Sequence, residues 1–81
     1  MKIKVLFFAQ FRDLLGAAER SVEAEEGTTA GNLVKSLLEE SGKSKYHELP
    51  VLYAINENFE KAETVLRDQD VLAVLPPVSG G

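Results

Sequence analysis

The stretch VLAVLPPVSGG, residues 71–81, decides how the rest of the chain is interpreted. Residues 71–75 are continuously apolar, which predicts a central β-strand covered on both faces. Two prolines then restrict the backbone, and the two final glycines have no side chain to place in a core. We therefore expect a folded domain over residues 1–75 and a flexible tail over residues 76–81.

A second strongly apolar strand is predicted at residues 2–8, where Ile3, Val5 and Phe7 share one face of a period-two pattern. Because these two segments are the most apolar strands, we expect them side by side in the centre of one sheet. A helical crossover joins them, so the pair should be parallel.

The segments between these two strands contain the remaining predicted elements. They are a helical turn over residues 10–15 closed by Gly16, an edge strand over 20–24, a helix from Thr28 or Thr29 to Gly42, a strand over 51–56, a turn at Glu57 and Asn58, a short return at 59–60, and a polar turn over 67–70. The long helix has apolar residues at helical spacing: Ala30, Leu33, Val34, Leu37 and Leu38. This order predicts an α+β fold of the β-grasp, ubiquitin-like type, a mixed sheet of four to five strands with one main helix on one face.

Composition excludes several classes of function. A chain of 81 residues makes one domain, and its net charge of −4 argues against nucleic acid as the main partner. The absence of cysteine excludes disulfides, thiolate metal sites and a thiol nucleophile, and it fits a cytoplasmic location. We also expect no signal peptide and no membrane association, because the apolar runs are too short.

Few residues suggest catalysis. His47 is the only histidine, so no histidine pair exists for a metal, and Ser79 has no evident histidine partner. Asp68 and Asp70 could form a carboxylate pair, but turn-forming carboxylates are far more common. We therefore predict no metal site and no bound cofactor.

The tail has a clearer chemical logic. The Gly81 carboxylate becomes an electrophile only after ATP converts it to an acyl-adenylate, which can then accept sulfur or an amine inside another protein. Gly81 leaves the acyl carbon unhindered, and Gly80 lets the tail thread a channel in which a Cβ would clash. On the two glycines alone, an inert end is about equally supported.

Two segments together resemble a known family. KVLFFAQFRDL at residues 4–14 and LPPVSGG at residues 75–81 are similar to the small subunit of molybdopterin synthase, the MoaD family of ubiquitin-like sulfur carriers. The resemblance spans the whole chain. It implies that Gly81 is adenylated, converted to a thiocarboxylate, and donates sulfur to cyclic pyranopterin monophosphate, while Pro76, Pro77, Val78, Ser79 and Gly80 thread the tail into the partner.

The resemblance also implies partners. They are the large synthase subunit, which would hold the catalytic residues of a heterotetramer, an E1-like adenylyltransferase that uses ATP, and a sulfurtransferase or cysteine desulfurase. The chain itself would be a non-catalytic sulfur donor. Sulfur carriage for thiamine or tRNA thiolation, and a protein modifier joined to lysines, are the alternatives.

By the same resemblance, four residues near the base of the tail form a docking patch: Phe8, Phe11, Arg12 and Leu75. The alternative is that both phenylalanines pack under the helical turn and that Arg12 is simply solvated. The sequence departs from the family at Gln69, where glycine is more usual, and at Leu75, where an aromatic often precedes the prolines. Because glutamine is uncommon at positive φ, a different turn type is expected around Gln69.

Overall fold

The computed structural model describes residues 1–43, 45 and 49–77. These residues form β1 (Lys2–Phe7), α1 (Gln10–Leu15), β2 (Glu19–Glu23), α2 (Ala30–Glu40), β3 (Leu52–Ile55), β4 (Asn58–Glu60) and β5 (Val71–Leu75). The strands make one mixed sheet in the order β2-β1-β5-β3-β4, and α2 packs on one of its faces. The predicted α+β architecture is therefore confirmed. Neither helix in the described ranges is long and apolar enough to cross a membrane.

The pairing at the centre of the sheet confirms the predicted parallel pair. β1 runs parallel to β5, from Lys4 opposite Val71 to Phe7 opposite Val74. β2 is antiparallel to β1 and β3 is antiparallel to β5. β2 takes the expected edge position, although it begins one residue earlier than the apolar alternation suggested.

Helix α2 begins and ends where its sequence predicts. The Thr29 side chain accepts a hydrogen bond from the Asn32 backbone N–H at 3.2 Å, and Gly42 takes the left-handed conformation after the last turn. Its five apolar stripe residues are all buried: Ala30, Leu33, Val34, Leu37 and Leu38. They form one core with the facing side chains of β1 and β5.

Gly31, in the first turn of α2, allows close packing that the sequence alone did not explain. A Cβ added there would lie 2.9 Å from the Ala62 Cβ. The backbone N–H groups of Ala30 and Gly31 donate to the carbonyls of Thr64 and Ala62 at 3.0 and 2.9 Å. The loop after β4 thus satisfies free amides of the first helical turn, and a side chain at position 31 would push the loop away.

The β3–β4 hairpin turn lies one residue earlier than predicted. Asn56 and Glu57, with φ of 50° and 74°, are its central residues, and Asn58 already begins β4. The Asn56 side chain explains this register, because it donates to the Asp70 carboxylate at 2.8 Å and accepts from the Val71 N–H at 3.0 Å. Both bonds hold Asn56 in the turn beside the start of β5.

The turn before β5 is built by its two aspartates. Asp68 accepts from the Lys2 backbone N–H at 2.7 Å, and Asp70 accepts from the Arg67 N–H at 2.8 Å. The Lys2 hydrogen bond, followed by one from Gln69, holds the pKa of Asp68 below its ordinary value. Gln69 itself adopts φ of 71°, so the expected change of turn type at this position is wrong.

The two faces of β5 differ, which corrects the prediction of a strand covered on both sides. Leu72 and Val74 are fully buried against α2, whereas Val71, Ala73 and Leu75 remain partly exposed. Burial in the core explains only Leu72 and Val74, because only one face of β5 belongs to the core. The apolar residues on the other face of β5 are not explained by core packing.

Candidate docking surface at the base of the tail

The tail leaves the sheet from its centre. β5 lies between β1 and β3, and Leu75 at its end is opposite Leu52. Pro76 is half-buried and Pro77 is exposed, so the chain moves out of the fold at the proline pair. The predictions for Val78, Ser79, Gly80 and Gly81, and the one for His47, lie outside the described residues.

The turn after β1 sends its two phenylalanines in opposite directions. The Phe8 N–H donates to the Val74 carbonyl at 3.2 Å, and the Phe8 side chain is 44% exposed. Ala9 follows with φ of 52° and ψ of −126°, a conformation that L-residues rarely adopt. The chain then enters α1, and Phe11 is fully buried in the core. A backbone conformation more typical of glycine therefore separates an exposed ring from a buried one.

The structure brings together two of the four predicted docking residues. Phe8 and Leu75 lie next to each other across the β1–β5 pair, and both are accessible on the face away from α2. Arg12 is exposed on α1. Phe11 is inaccessible because α1 folds it into the core, so its predicted contact with a partner is corrected to a structural role.

On the side of the sheet away from α2, a row of apolar side chains crosses four strands, and the apolar surface around this row is here called the open face. Cross-strand pairing aligns Leu6 with Ala73, Ala73 with Ala54 and Ala54 with Phe59. Residues opposite each other project to the same side of a sheet, so these rows form one surface. Its members are Leu6, Phe8, Leu52, Ala54, Phe59, Val71, Ala73 and Leu75.

The middle of the open face is a shallow depression of about 430 Å³. Its lining is apolar except at one rim, where Asn56 and Glu57 lie. Around it stand the exposed side chains of Phe8, Leu52 and Phe59, with exposed fractions of 44%, 36% and 71%. A contiguous exposed apolar surface of this kind marks a partner site more often than a solvated one.

Sequence reasoning missed Leu52 and Phe59. The signal was present in the alternation of β3, where Leu52 and Ala54 share a face opposite to that of Ile55. Which of the two faces of β3 is covered by α2 depends on the order of strands in the sheet. The apolar pattern of β3 alone does not reveal that order. Phe59 follows from Ala54, its partner in the hairpin.

The chemistry of the open face is binding rather than catalysis. Its members carry only hydrocarbon side chains. The flanking Lys4 and Glu19 form an exposed ion pair at 3.7 Å, which adds little energy. No group of three or more histidine, aspartate or glutamate side chains among the described residues could hold a metal ion.

The protein has a mixed five-stranded sheet with one long helix on one face, and its last strand ends beside an apolar surface on the other face. This architecture defines a β-grasp protein of the ubiquitin-like class. The model of the ThiS family matches residues 5–81. The chain therefore belongs to the ThiS family.

Curated and solved relatives agree with that assignment. The molybdopterin synthase sulfur carrier subunit of Mycobacterium tuberculosis is 35% identical over 100% of this chain and 99% of its own length. A Pyrococcus furiosus structure described as subunit 1 of a molybdopterin converting factor is 31% identical, with a TM-score of 0.82 over 96% of this chain and 99% of that one. A Helicobacter pylori complex of subunits 1 and 2 of molybdopterin-converting factor contains a chain that is 27% identical, with a TM-score of 0.66 and full coverage of both chains.

Proposed function

We propose that this chain is the sulfur-carrier subunit of a molybdopterin synthase in molybdenum cofactor biosynthesis. The observation that carries the proposal is the open face at the base of the tail, because it gives a partner a surface to hold beside the point where Pro76 leaves β5. The full-length similarity to named sulfur carrier subunits supports the same role. The family match extends to Gly81, so the tail belongs to the similarity.

In this proposal the reacting group is the Gly81 carboxylate. An E1-like adenylyltransferase joins it to the α-phosphorus of ATP and releases pyrophosphate. The terminal sulfur of a persulfide on a sulfurtransferase or cysteine desulfurase attacks the acyl carbon, and AMP leaves. A thiol then cleaves the sulfur–sulfur bond of the acyl disulfide, which releases the thiocarboxylate and forms a disulfide. The resulting thiocarboxylate donates its sulfur to cyclic pyranopterin monophosphate, and water cleaves the acyl–sulfur bond to return the carboxylate. Because ATP is required, we place the chain in the cytoplasm.

The tail residues have steric roles in this proposal. Fully extended, six residues span roughly 20 Å, enough to enter a buried site while the domain stays outside. Pro76 and Pro77 fix the direction in which the tail leaves β5, Val78 and Ser79 occupy the channel, and Gly80 provides clearance. No cofactor needs to bind this chain, because the nucleotide and the pterin are held by its partners.

The open face would dock on the large synthase subunit. The Helicobacter pylori structure, a complex of the two subunits of molybdopterin-converting factor, supports a partner of this kind. Phe8, Leu52 and Leu75 surround the start of the tail and would fix its entry point. Arg12 would lie at the margin, where it could pair with a partner carboxylate. We expect two copies of this chain in a heterotetramer, with the catalytic residues on the large subunit.

Intact mass spectrometry tests the role of Gly81. The chain is produced with its activating enzyme, ATP and a sulfur source, and we expect the mass increase of one oxygen replaced by sulfur. A chain lacking Gly81 should remain unmodified and transfer no sulfur, with its melting temperature nearly unchanged because the core is built by residues that precede the tail. An unmodified carboxylate while ATP is consumed would contradict sulfur carriage, and a ladder of heavier conjugates would favour a protein modifier.

A further inference from the structure

We propose that the outer edge of β2, with the groove between β2 and α2, binds an extended basic segment of a partner protein as an added strand. This site goes beyond the proposed sulfur carriage, because it uses the outer edge of β2 and the groove beside α2 and includes no residue of the open face. The occupant would be defined by its pattern, with basic residues at both ends of a short alternating apolar segment.

The backbone of β2 provides the first observation. β2 ends the sheet, so no strand of the described residues pairs with its outer edge. The Phe7 N–H donates to the Ala18 carbonyl at 2.8 Å, and the Ala24 N–H donates to the Met1 carbonyl at 2.9 Å. Antiparallel hydrogen bonding alternates along a strand, so residues 18, 20, 22 and 24 face β1. The backbone groups of Glu19, Ser21 and Glu23 therefore point outward, where another strand could pair with them.

The space beside this edge provides the second observation. A groove of about 560 Å³ lies between β2 and α2. Val22, Leu33 and Leu37 line the bottom of the groove with apolar side chains. On the α2 side the groove is lined by the exposed Ser36, whose small side chain leaves room for an occupant. A strand added to β2 would direct alternate side chains into this groove. In a strand centred opposite Ser21, the residues immediately before and after the central one would point into the groove. Apolar side chains at these two positions would contact its apolar lining.

The charge around the groove favours a basic occupant. Three carboxylates, those of Glu23, Glu25 and Glu40, line it together with one guanidinium, that of Arg20. Arg20 forms an exposed ion pair with Glu40 at 3.5 Å, so the remaining field is negative. Electrostatic complementarity of this kind selects partners and speeds their encounter.

The same charges argue against a second copy of this chain. Antiparallel pairing of two β2 edges about Ser21 would place Glu19 of one copy opposite Glu23 of the other. Like charges directly opposite each other destabilise a strand pair. A partner segment with lysine or arginine at those two positions would instead place a cation opposite each carboxylate, sharing that of Glu19 with Lys4. The pattern basic, apolar, small, apolar, basic satisfies the edge in either strand direction.

Nuclear magnetic resonance of the full-length, isotopically labelled chain tests the proposal. The probe is a capped peptide with the order lysine, valine, threonine, valine, lysine. We expect saturable shifts at the amides of Glu19, Ser21 and Glu23 and slower hydrogen exchange at the same amides. A peptide with the same residues reordered as lysine, lysine, valine, valine, threonine should bind at least several-fold more weakly, because its alternation is lost.

Matched variants distinguish cross-strand charge pairing at β2 from nonspecific electrostatic attraction between the basic peptide and the acidic protein. Glu19→Gln with Glu23→Gln should weaken binding by roughly 2- to 30-fold, the range for losing two cross-strand ion pairs. Glu39→Gln with Glu63→Gln removes the same charge from exposed positions away from β2 and should have a smaller effect. No binding at millimolar peptide, shifts centred on the open face, or equal affinity for the two peptides would overturn the proposal.

Discussion

The same strands form both faces of this sheet, but one face is buried under α2 and the other is partly exposed. On the covered face, Ile3, Val5, Leu72 and Val74 have no exposed surface and pack against α2. On the open face, the alternate positions Leu6, Val71, Ala73 and Leu75 of these strands are also apolar, and neither helix of the described residues covers them. One set of residues therefore fixes the fold, and the other leaves a hydrophobic surface beside the tail.

This difference separates stability from recognition at the level of single residues. A side chain already buried contributes to the free energy of unfolding, whereas an exposed apolar side chain contributes mainly when a partner covers it. The strands of this small domain thus carry two independent hydrophobic patterns. Substitutions on the covered face should therefore change the free energy of unfolding, and substitutions on the open face should change the affinity for a partner.

The largest difference is expected between two phenylalanines three positions apart. Phe11→Ala should lower the free energy of unfolding by about 3–5 kcal/mol, because a fully buried ring leaves a cavity. Phe8→Ala should lower it by less than about 1 kcal/mol, since much of that ring is already solvated. Chemical denaturation of both variants measures the difference.

Binding to the large subunit should show the reverse order. Phe8→Ala removes a central ring of the open face and should weaken binding by roughly 30-fold, as for an interface hot spot. The matched control is Val65→Ala, since Val65 is 54% exposed but lies outside the open face. Equal stability losses for the two phenylalanine variants would contradict the division between the faces.

A smaller effect is expected where α2 meets the loop after β4. Gly31→Ala places a Cβ 2.9 Å from the Ala62 Cβ, and the resulting displacement should exceed the gain in helix propensity. We expect a net loss of about 1 kcal/mol in thermal or chemical unfolding. Asn32→Ala, on the exposed side of the same turn, should change stability by less than about 0.5 kcal/mol. A stabilised Gly31→Ala variant would show that the loop relaxes freely.

The smallest effect should be a gain at the turn that connects the two faces. Ala9→Gly relieves the backbone strain at φ of 52° and should raise the free energy of unfolding by up to about 1 kcal/mol, after the entropy cost of glycine is included. Ala18→Gly, at a residue without positive φ, should instead lower it by about 0.5–1 kcal/mol. Thermal unfolding of the two variants compares them, and a loss in both would contradict strain at Ala9.

The covered face could be predicted because its signal is local. Alternation in β1 and helical spacing in α2 identify Ile3, Val5 and Leu37 without knowledge of the partner element. Phe8 and Leu75 were predicted as docking residues from the resemblance to the MoaD family, not from local periodicity. The parallel pairing of β1 and β5 also followed, because a crossover connection allows few other arrangements.

The remaining errors have physical causes outside local patterns. Phe8 and Phe11 look alike in sequence, and their separation depends on the positive φ of Ala9, which alanine rarely adopts. The hairpin turn moved to Asn56 because its side chain bonds to Asp70 and Val71, which lie distant in the sequence. The open face of β5 was taken as buried because an apolar run looks the same whether a helix or a partner covers it.

Methyl cross-saturation from the large subunit to this chain tests most directly whether the open face is the docking surface. The methyl groups of Leu6, Leu52 and Leu75 should lose intensity in the complex, while that of Val65 should not. Loss of intensity centred on Val65 or Val22, with Leu6 and Leu75 unaffected, would contradict the account.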